Sequence, residues 1–367
     1  MKNKCNYFLR DSKKLILFFT CLDLIHRFIV FCFFWRVKKS PHFPPQRILL
    51  ANCGGLGDVV LCSGVVAEIK RRFPNCKIGF IVLKQSKIAL ETLPHIDWIH
   101  EDTFRIVPGQ TRLHQIIELL KCIFLEHPKL AKQIKNVGYD CAIELRPFFP
   151  NLIPLFWKSK IPLRIGFTSG GNSKLLNAPV PWAKNQYLPH CYWDLLAKLR
   201  ITKGESDSLM QTMVLKETPL FSMQKPYIIF HLCSSAEQKD FSFEFWRILY
   251  KKCKEREAFI YFTGKGDRDQ RIIQQVIDDE QYNLCNKLSW TEFVQCIQQS
   301  RGIVSVDSAP VHLAASFNVP CALLFKNTKF PEIWMPNIPT CSAFGIHCPI
   351  ELEKVEELVH DMIKGAL

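Results

Sequence analysis

Arg47-Ile48-Leu49-Leu50-Ala51-Asn52-Cys53-Gly54-Gly55-Leu56-Gly57-Asp58-Val59-Val60 joins an apolar run to a glycine-rich turn and the start of an amphipathic segment. Residues 47–52 form a short apolar run stopped by glycines, as in a parallel strand buried on both faces. From Asp58 onward, apolar residues recur at 59, 62, 66, 69 and 73, the spacing of one helical face, and Pro74-Asn75 ends the helix. Residues 78–83 supply a second apolar strand. Strand, glycine loop, helix and strand make a βαβ unit, right-handed by default.

The alternation continues on both sides of a polar stretch at residues 202–207. Before it, the pattern predicts a short strand at 98–100, helices across 113–124 and 128–136, strands at 141–145 and 163–167, and a helix near 192–199. After it come strand 227–232, helix 243–253, strand 258–263, helices 268–278 and 291–299, strand 302–306, a helix from Pro310 and strand 321–325. The expected fold class is therefore α/β, with two Rossmann-like doubly wound domains facing a central cleft and a boundary around 205–220. Such units bind ligands outside the carboxyl ends of their strands.

A chain of 367 residues suits two domains, and 48% hydrophobic with 22% charged residues suits a globular protein. Net charge is +14, and residues 1–46 carry nine Lys or Arg against two Asp, an excess of +7. A basic surface fits nucleic acid, anionic lipid or phosphorylated substrates. The absence of a zinc finger or other nucleic-acid motif leaves no nucleic-acid partner expected. Sixteen cysteines are spread through apolar runs without a CxxC pair, and Cys341 and Cys348 lack zinc spacing. They read as buried thiols in a reducing compartment, so no structural metal is expected; no DxD-type metal motif stands in a supporting context, and neither a metal nor a cofactor is expected.

Residues 15–35 are mostly apolar, yet Asp23, His26 and Arg27 fall in their middle. A charge at mid-bilayer costs about 3 kcal/mol on insertion scales. An interfacial helix avoids that cost, and Lys13, Lys14, Arg36, Lys38 and Lys39 flank the stretch where anionic lipid would lie. Surface anchoring is the preferred reading over a single N-terminal span. A signal peptide ranks last because no small-residue cleavage site follows Trp35-Arg36. Residues 40–45 break any helix and serve as a linker.

Glycines after the first strand allow close approach of a ligand. The loop is not GxGxxG, the second strand ends at Lys84-Gln85 with no acidic residue, and no GxxxxGK[ST] run exists. Nicotinamide chemistry and NTP hydrolysis both lose ground. Asp58 reads equally as a helix cap or as a catalytic carboxylate. At Asp307-Ser308-Ala309-Pro310-Val311-His312 a second strand gives way to a helix with proline in its first turn, whose backbone N–H groups would cradle a diphosphate. Taken alone, Asp307 could be only a cap and His312 only a packed side chain.

The run Leu56-Gly57-Asp58-Val59-Val60, followed by Arg71-Arg72-Phe73-Pro74, resembles the start of glycosyltransferase family 9, the ADP-heptose:lipopolysaccharide heptosyltransferases. Gly54-Gly55 replaces the family's commoner Ser-Ser. Asp307 to Ala315 resembles the family's D-[ST]-G-x-x-H-L-A-A donor motif, with Ala309 where glycine is usual. Ile229 to Ser235 followed by Lys239 and Phe245-Trp246, and Tyr261 to Asp267, are similar in looser form.

The resemblance spans about residues 47–335 and implies a GT-B fold, with an acceptor-binding domain over 47–215 and a nucleotide-sugar-binding domain over 216–367; the membrane-associating segment and linker over 1–46 lie outside it. It implies an inverting, metal-independent transfer of heptose from ADP-heptose to an acidic lipopolysaccharide core acceptor. Asp58 would be the general base, and Lys239 would neutralise the departing diphosphate. Donor contacts would come from Gly55, Gly57, Ser234, Ser235, Gly264, Asp267, Asp307, Ser308, Ala309 and His312. Glu144, Arg146 and Arg164 would meet the acceptor. The expected location is cytoplasmic, peripheral on the inner face of the bacterial cytoplasmic membrane, in contact with an anionic membrane surface. Two alternatives stay open: a GT-B transferase using another nucleotide sugar, and a non-catalytic, membrane-tethered sugar-nucleotide binder.

Overall fold

The computed structural model describes residues 43–103, 121–183, 186–203, 226–254, 259–326, 330–346 and 348–366, with isolated positions at 20, 21, 23–25, 28, 117, 118 and 223. Residues 113–116, 119 and 120 of the expected helix over 113–124, the 205–220 boundary and most of the 15–35 segment lie outside the described residues. Contacts divide the chain into two units, Met1–Lys184 with Pro189–Leu209, and Asn185–Leu188 with Met210–Leu367.

The first unit contains β1 (Arg47–Asn52), α1 (Leu56–Leu61), α2 (Ser63–Arg72), β2 (Lys77–Leu83), β3 (Trp98–Asp102), α3 (His127–Val137), β4 (Cys141–Glu144), α4 (Ile153–Lys158), β5 (Leu163–Phe167), β6 (Ala178–Val180) and α5 (Leu188–Leu196). Its sheet is parallel throughout, in the order β3-β2-β1-β4-β5-β6. Ile48 pairs with Ile78 on one side and Cys141 on the other. β1 is central because its residues 48–51 carry no polar side chain to solvate, and all are fully buried.

The second unit contains β7 (Tyr227–His231), α6 (Phe243–Lys254), β8 (Phe259–Thr263), α7 (Asp267–Val276), α8 (Trp290–Gln299), β9 (Gly302–Val306), α9 (Ala309–Ser316), β10 (Cys321–Leu324), α10 (Pro331–Trp334), β11 (Cys341–Phe344) and α11 (Leu352–Lys364). Its parallel sheet runs β11-β10-β9-β7-β8. α6 turns Trp246, Leu249, Tyr250 and Cys253 into the core and leaves lysines in its last turn, where the helix dipole favours cations. α8 starts on a capping box: Ser289 Oγ accepts the Glu292 N–H, and the Glu292 carboxylate accepts the Ser289 N–H. Both units are thus doubly wound, as expected.

Three departures have local causes. The single helix expected from Asp58 is two, broken at Cys62: the Cys62 thiol and the Asn52 amide both bond the Asp58 carbonyl, and the Cys62 N–H turns to Val59 O at 3.1 Å. β6 and β11 gave no apolar run, being edge strands of three and four residues, one containing Pro179. α4 was hidden because Pro154 sits in its first turn behind a Phe-Phe-Pro-Asn loop.

Eleven of the fourteen described cysteines are buried and all fourteen are thiols, as the apolar spacing predicted. No helix among the described residues is long and apolar enough to cross a membrane. Asp23 is helical and buried, and its carboxylate accepts the Ser173 hydroxyl at 3.2 Å, whereas Leu24, Ile25 and Phe28 beside it are exposed.

Gly79 in β2 lies under Tyr139, whose hydroxyl bonds His100 Nε2 at 2.8 Å; a Cβ at 79 would stand 1.9 Å from that hydroxyl. Gly79→Ala is expected to cost about 1–3 kcal/mol through overpacking, read as a lower urea midpoint at unchanged m-value.

Candidate active site at the two switch points

In a doubly wound sheet, the crevice opens where neighbouring strands send their connections to opposite faces. In the first sheet that point lies between β1 and β4, and in the second between β7 and β9. Loops leaving those four strands carry most of the residues singled out in the sequence.

After β1, Asn52 organises the glycine loop. Its side-chain oxygen accepts the Gly54 N–H at 2.8 Å, and its amide donates to Asp58 O at 3.2 Å. Ser86 Oγ donates to Gly54 O at 3.1 Å, and Arg146 Nη1 to Cys53 O at 2.9 Å. Asp58 is the third residue of α1, and its Oδ2 accepts the Gly55 N–H at 2.8 Å. Asp58 is thus not the N-cap itself but bonds back to the N-cap N–H from inside the first turn, which spends one oxygen. No hydrogen bond to Oδ1 is found among the described residues, and the side chain is half-exposed. A Cβ on Gly54 would lie 2.4 Å from Asp58 Cγ. Gly54 therefore makes room for this carboxylate itself, while Gly55 is exposed and Gly57 half-buried beside it.

Across the switch point, Glu144 ends β4 and is fully buried. Its carboxylate accepts the Leu152 N–H at 2.6 Å and the Arg146 N–H at 3.1 Å. Burial pushes its carboxyl up to about 8, against the pull of those two N–H bonds and of Arg146. Glu144 thus shapes the loop after β4 and is not placed to touch an acceptor, which corrects that expectation. Arg164 is corrected too: it lies at the amino end of β5, with Nε on Leu175 O at 2.7 Å and Nη1 on Ile161 O at 2.6 Å. Arg146 is different, because its Nε is buried without a hydrogen-bond partner among the described residues.

In the second unit, the loop after β7 carries Ser234, Ser235 and Lys239, and the loop after β9 carries Asp307 and Ser308. Lys239 Nζ meets Asp307 Oδ2 at 2.6 Å, joining the two sides of the switch point. Asp307 is buried and Lys239 is 27% exposed, so the pair is only partly screened by water. Ser308 is the N-cap of α9 but does not cap it with its hydroxyl, which bonds Val306 O and Ser305 Oγ. Ala309 opens the helix with Pro310 next, and His312 is buried within it.

Ser234 is buried and turned into its own loop: its hydroxyl donates to Ala236 O, and its N–H is held by Asp240. Ser235 is exposed. After β8, Gly266 adopts φ 96°, a conformation open to glycine, and its N–H donates to Asn286 Oδ1 at 2.7 Å. Gly264 is packed within 2.9 Å of Asp269 Cβ for any added methyl, and Asp267 is exposed at the start of α7.

Sequence reasoning missed the residues that hold these loops. Arg268 Nη2 bonds Ser234 O at 2.7 Å and Asp240 at 2.9 Å, tying the loop after β8 to the loop after β7. Lys326, just after β10, donates to Asp240 O at 2.6 Å. With Lys239, three cations stand around one short loop. Asn52 carried a usable signal, an amide closing an otherwise apolar strand. Asp240 and Arg268 carried none, since single charged residues near glycines are ordinary in loops.

Two doubly wound parallel sheets in one chain give the two-Rossmann-domain (GT-B) architecture. Within that architecture, this chain belongs to glycosyltransferase family 9 (heptosyltransferase), whose model matches residues 128–358. It is similar to the lipopolysaccharide core heptosyltransferase OpsX of Haemophilus influenzae, 20% identical over 296 residues covering 77% of this chain and 79% of that one. It is also similar to lipooligosaccharide heptosyltransferase 2 of Haemophilus ducreyi, 24% identical over 306 residues covering 76% and 82%. Among solved structures, E. coli heptosyltransferase WaaC with ADP-2-deoxy-2-fluoro heptose superposes with a TM-score of 0.68 at 17% identity, covering 88% of this chain and all of that one.

Removing the Asn52 side chain in Asn52→Ala deprives Gly54 N–H and Asp58 O of a buried partner, at an expected cost of about 1–3 kcal/mol by chemical denaturation. Glu144 yields a pH effect. Its folded pKa is raised above the unfolded value, so the folded state holds the extra proton and stability drops as pH rises from about 5 to about 9. In Glu144→Gln that decline is expected to flatten, so that the gap between wild-type and variant urea midpoints narrows or reverses at the alkaline end.

Proposed function

We propose that this glycosyltransferase is an inverting, metal-independent heptosyltransferase that moves a heptose from an ADP-linked donor to a lipopolysaccharide core acceptor. The observation that carries the reading is the pairing at the second switch point: Lys239 on Asp307, beside the N-terminus of α9 that its own N-cap serine leaves uncapped. A nucleoside diphosphate entering there meets a lysine, helix N–H groups and the nearby Arg268 and Lys326. These charges take the place of a divalent cation as the diphosphate leaves. The E. coli neighbour, solved with a fluorinated ADP-heptose, and the two Haemophilus heptosyltransferases support this choice of donor and acceptor.

In the first unit, Asp58 Oδ2 is fixed by the Gly55 N–H and Oδ1 is left for an acceptor hydroxyl. As that hydroxyl attacks the anomeric carbon, its proton passes to Asp58, the bond to the diphosphate breaks, and one displacement inverts the centre. Arg146, with its buried unfilled Nε, suits an acidic group on the acceptor. Ala309, standing where the family's motif has glycine, puts a methyl at the first residue of α9; it bears on which sugar nucleotide fits and supports another donor as the second reading. Residues 15–35 and the exposed Leu24, Ile25 and Phe28 suit peripheral attachment to the inner membrane face.

Two variants separate the roles. Asp58→Asn is expected to lower transfer by at least about a thousandfold with ADP affinity unchanged, and near-normal turnover would remove the base assignment. Lys239→Ala is expected to weaken ADP binding by about ten- to a hundredfold in calorimetry, the worth of one charged hydrogen bond. Unchanged affinity would remove the donor site from this switch point.

A further inference from the structure

A second cluster of chemically competent side chains lies in the first unit, apart from the residues given roles in transfer. Asp102 is the last residue of β3 and 2% exposed. Cys122 is 4% exposed and opens a single π-helical turn, Cys122–Glu126, which runs straight into His127 at the head of α3. In an α-helix, residues five apart point about 140° away from each other around the axis. The π turn closes that angle, with the His127 N–H bonded to Cys122 O. Both side chains then face the end of β3. Such turns are rare and recur at functional sites.

The distances suit a bound cation. His127 Nε2 is 3.4 Å from Asp102 Oδ1, Cys122 Sγ is 3.8 Å from the same oxygen, and the three ligand atoms all lie within 4.8 Å of one another. Tetrahedral zinc, with bonds of about 2.0–2.3 Å to nitrogen, oxygen and sulfur, places such atoms about 3.4–3.6 Å apart. His127 Nε2 is buried, and although a carboxylate oxygen stands 3.4 Å away it makes no hydrogen bond among the described residues. A simple histidine–aspartate ion pair would direct that N–H at the oxygen. The Cys122 thiol makes only a long bond to Asp102 Oδ1, and His127 Nε2 stands beside the same oxygen without one, so a cation can replace the thiol proton among the three.

We propose that Asp102, Cys122 and His127 bind one divalent transition-metal ion of the zinc class, which clamps the π turn and α3 to the carboxyl end of β3. Oδ1 of Asp102, Sγ of Cys122 and Nε2 of neutral His127 each donate a lone pair. The thiol releases its proton to solvent as the sulfur–metal bond forms, and water completes a fourth position. The soft thiolate selects against magnesium and calcium. No CxxC pair announced the site, because one ligand comes from a strand end and the other two need the five-residue π spacing. The ion is separate from the proposed transfer step, which runs through Asp58 and Lys239.

Cobalt(II) titrated into the metal-stripped full-length protein reads the site without reference to activity. The expected result is one ion per chain, a thiolate-to-cobalt charge-transfer band in the near ultraviolet, displacement by zinc but not magnesium, and a higher melting temperature with zinc. Cys122→Ser is expected to abolish the band, and His127→Gln to weaken cobalt affinity at least tenfold while wild-type circular dichroism is retained. If Cys122→Ser does not fold, His127→Gln decides alone, and unchanged affinity overturns the proposal. So does the absence of a band in wild type, or a band that survives Cys122→Ser and therefore belongs to another cysteine.

Discussion

The arrangement depends on one constraint: a loop that leaves a buried strand carries backbone polar groups out of the sheet's ladder, and each must find a partner. At the end of β1 that demand falls on Asn52, which satisfies the Gly54 N–H and the Asp58 carbonyl with one side chain. By capturing the Asp58 carbonyl, Asn52 and Cys62 also end α1 after six residues and set the angle at which α2 departs. The carboxylate of Asp58 is left facing its own N-cap, with Gly54 shaped around it. A satisfied backbone, not a strained one, presents the proposed base.

The second unit meets the same constraint with charge. Asp240 holds the Ser234 N–H, Arg268 holds the Ser234 carbonyl and Asp240 together, and Lys326 takes the Asp240 carbonyl. Lys239 follows from a short helical turn in that braced loop and reaches Asp307. Partly buried ion pairs of this kind contribute little net stability, since desolvation offsets attraction. Their use lies in position. The pair keeps a lysine poised at the switch point, where the phosphates of the proposed donor are more numerous acceptors than one carboxylate.

The succession of strands and helices followed from patterns that repeat: apolar runs of five or six residues and helical faces at three-and-four spacing were legible because burial on both sides of a parallel sheet allows little else. Asp58, Lys239 and Asp307 stood out as candidates because each sits one loop beyond such a run. Glu144 and Arg164 were misread for the same reason: their nearness to strand ends was visible, but complete burial of the one and the amino-end register of the other follow from tertiary packing. Asp102, Cys122 and His127 were invisible as a group. Sequence distance separates the strand end from the helix, and the π turn breaks the 3.6-residue period on which helical reading relies.

The most direct measurement is transfer itself. Purified protein is incubated with ADP-heptose and a truncated lipopolysaccharide core, the acceptor is weighed by mass spectrometry, and ADP is quantified alongside. The expected result is an acceptor heavier by one heptosyl residue for each ADP released, without added divalent cation. ADP released with no mass gain, or no turnover while another sugar nucleotide is consumed, would contradict it.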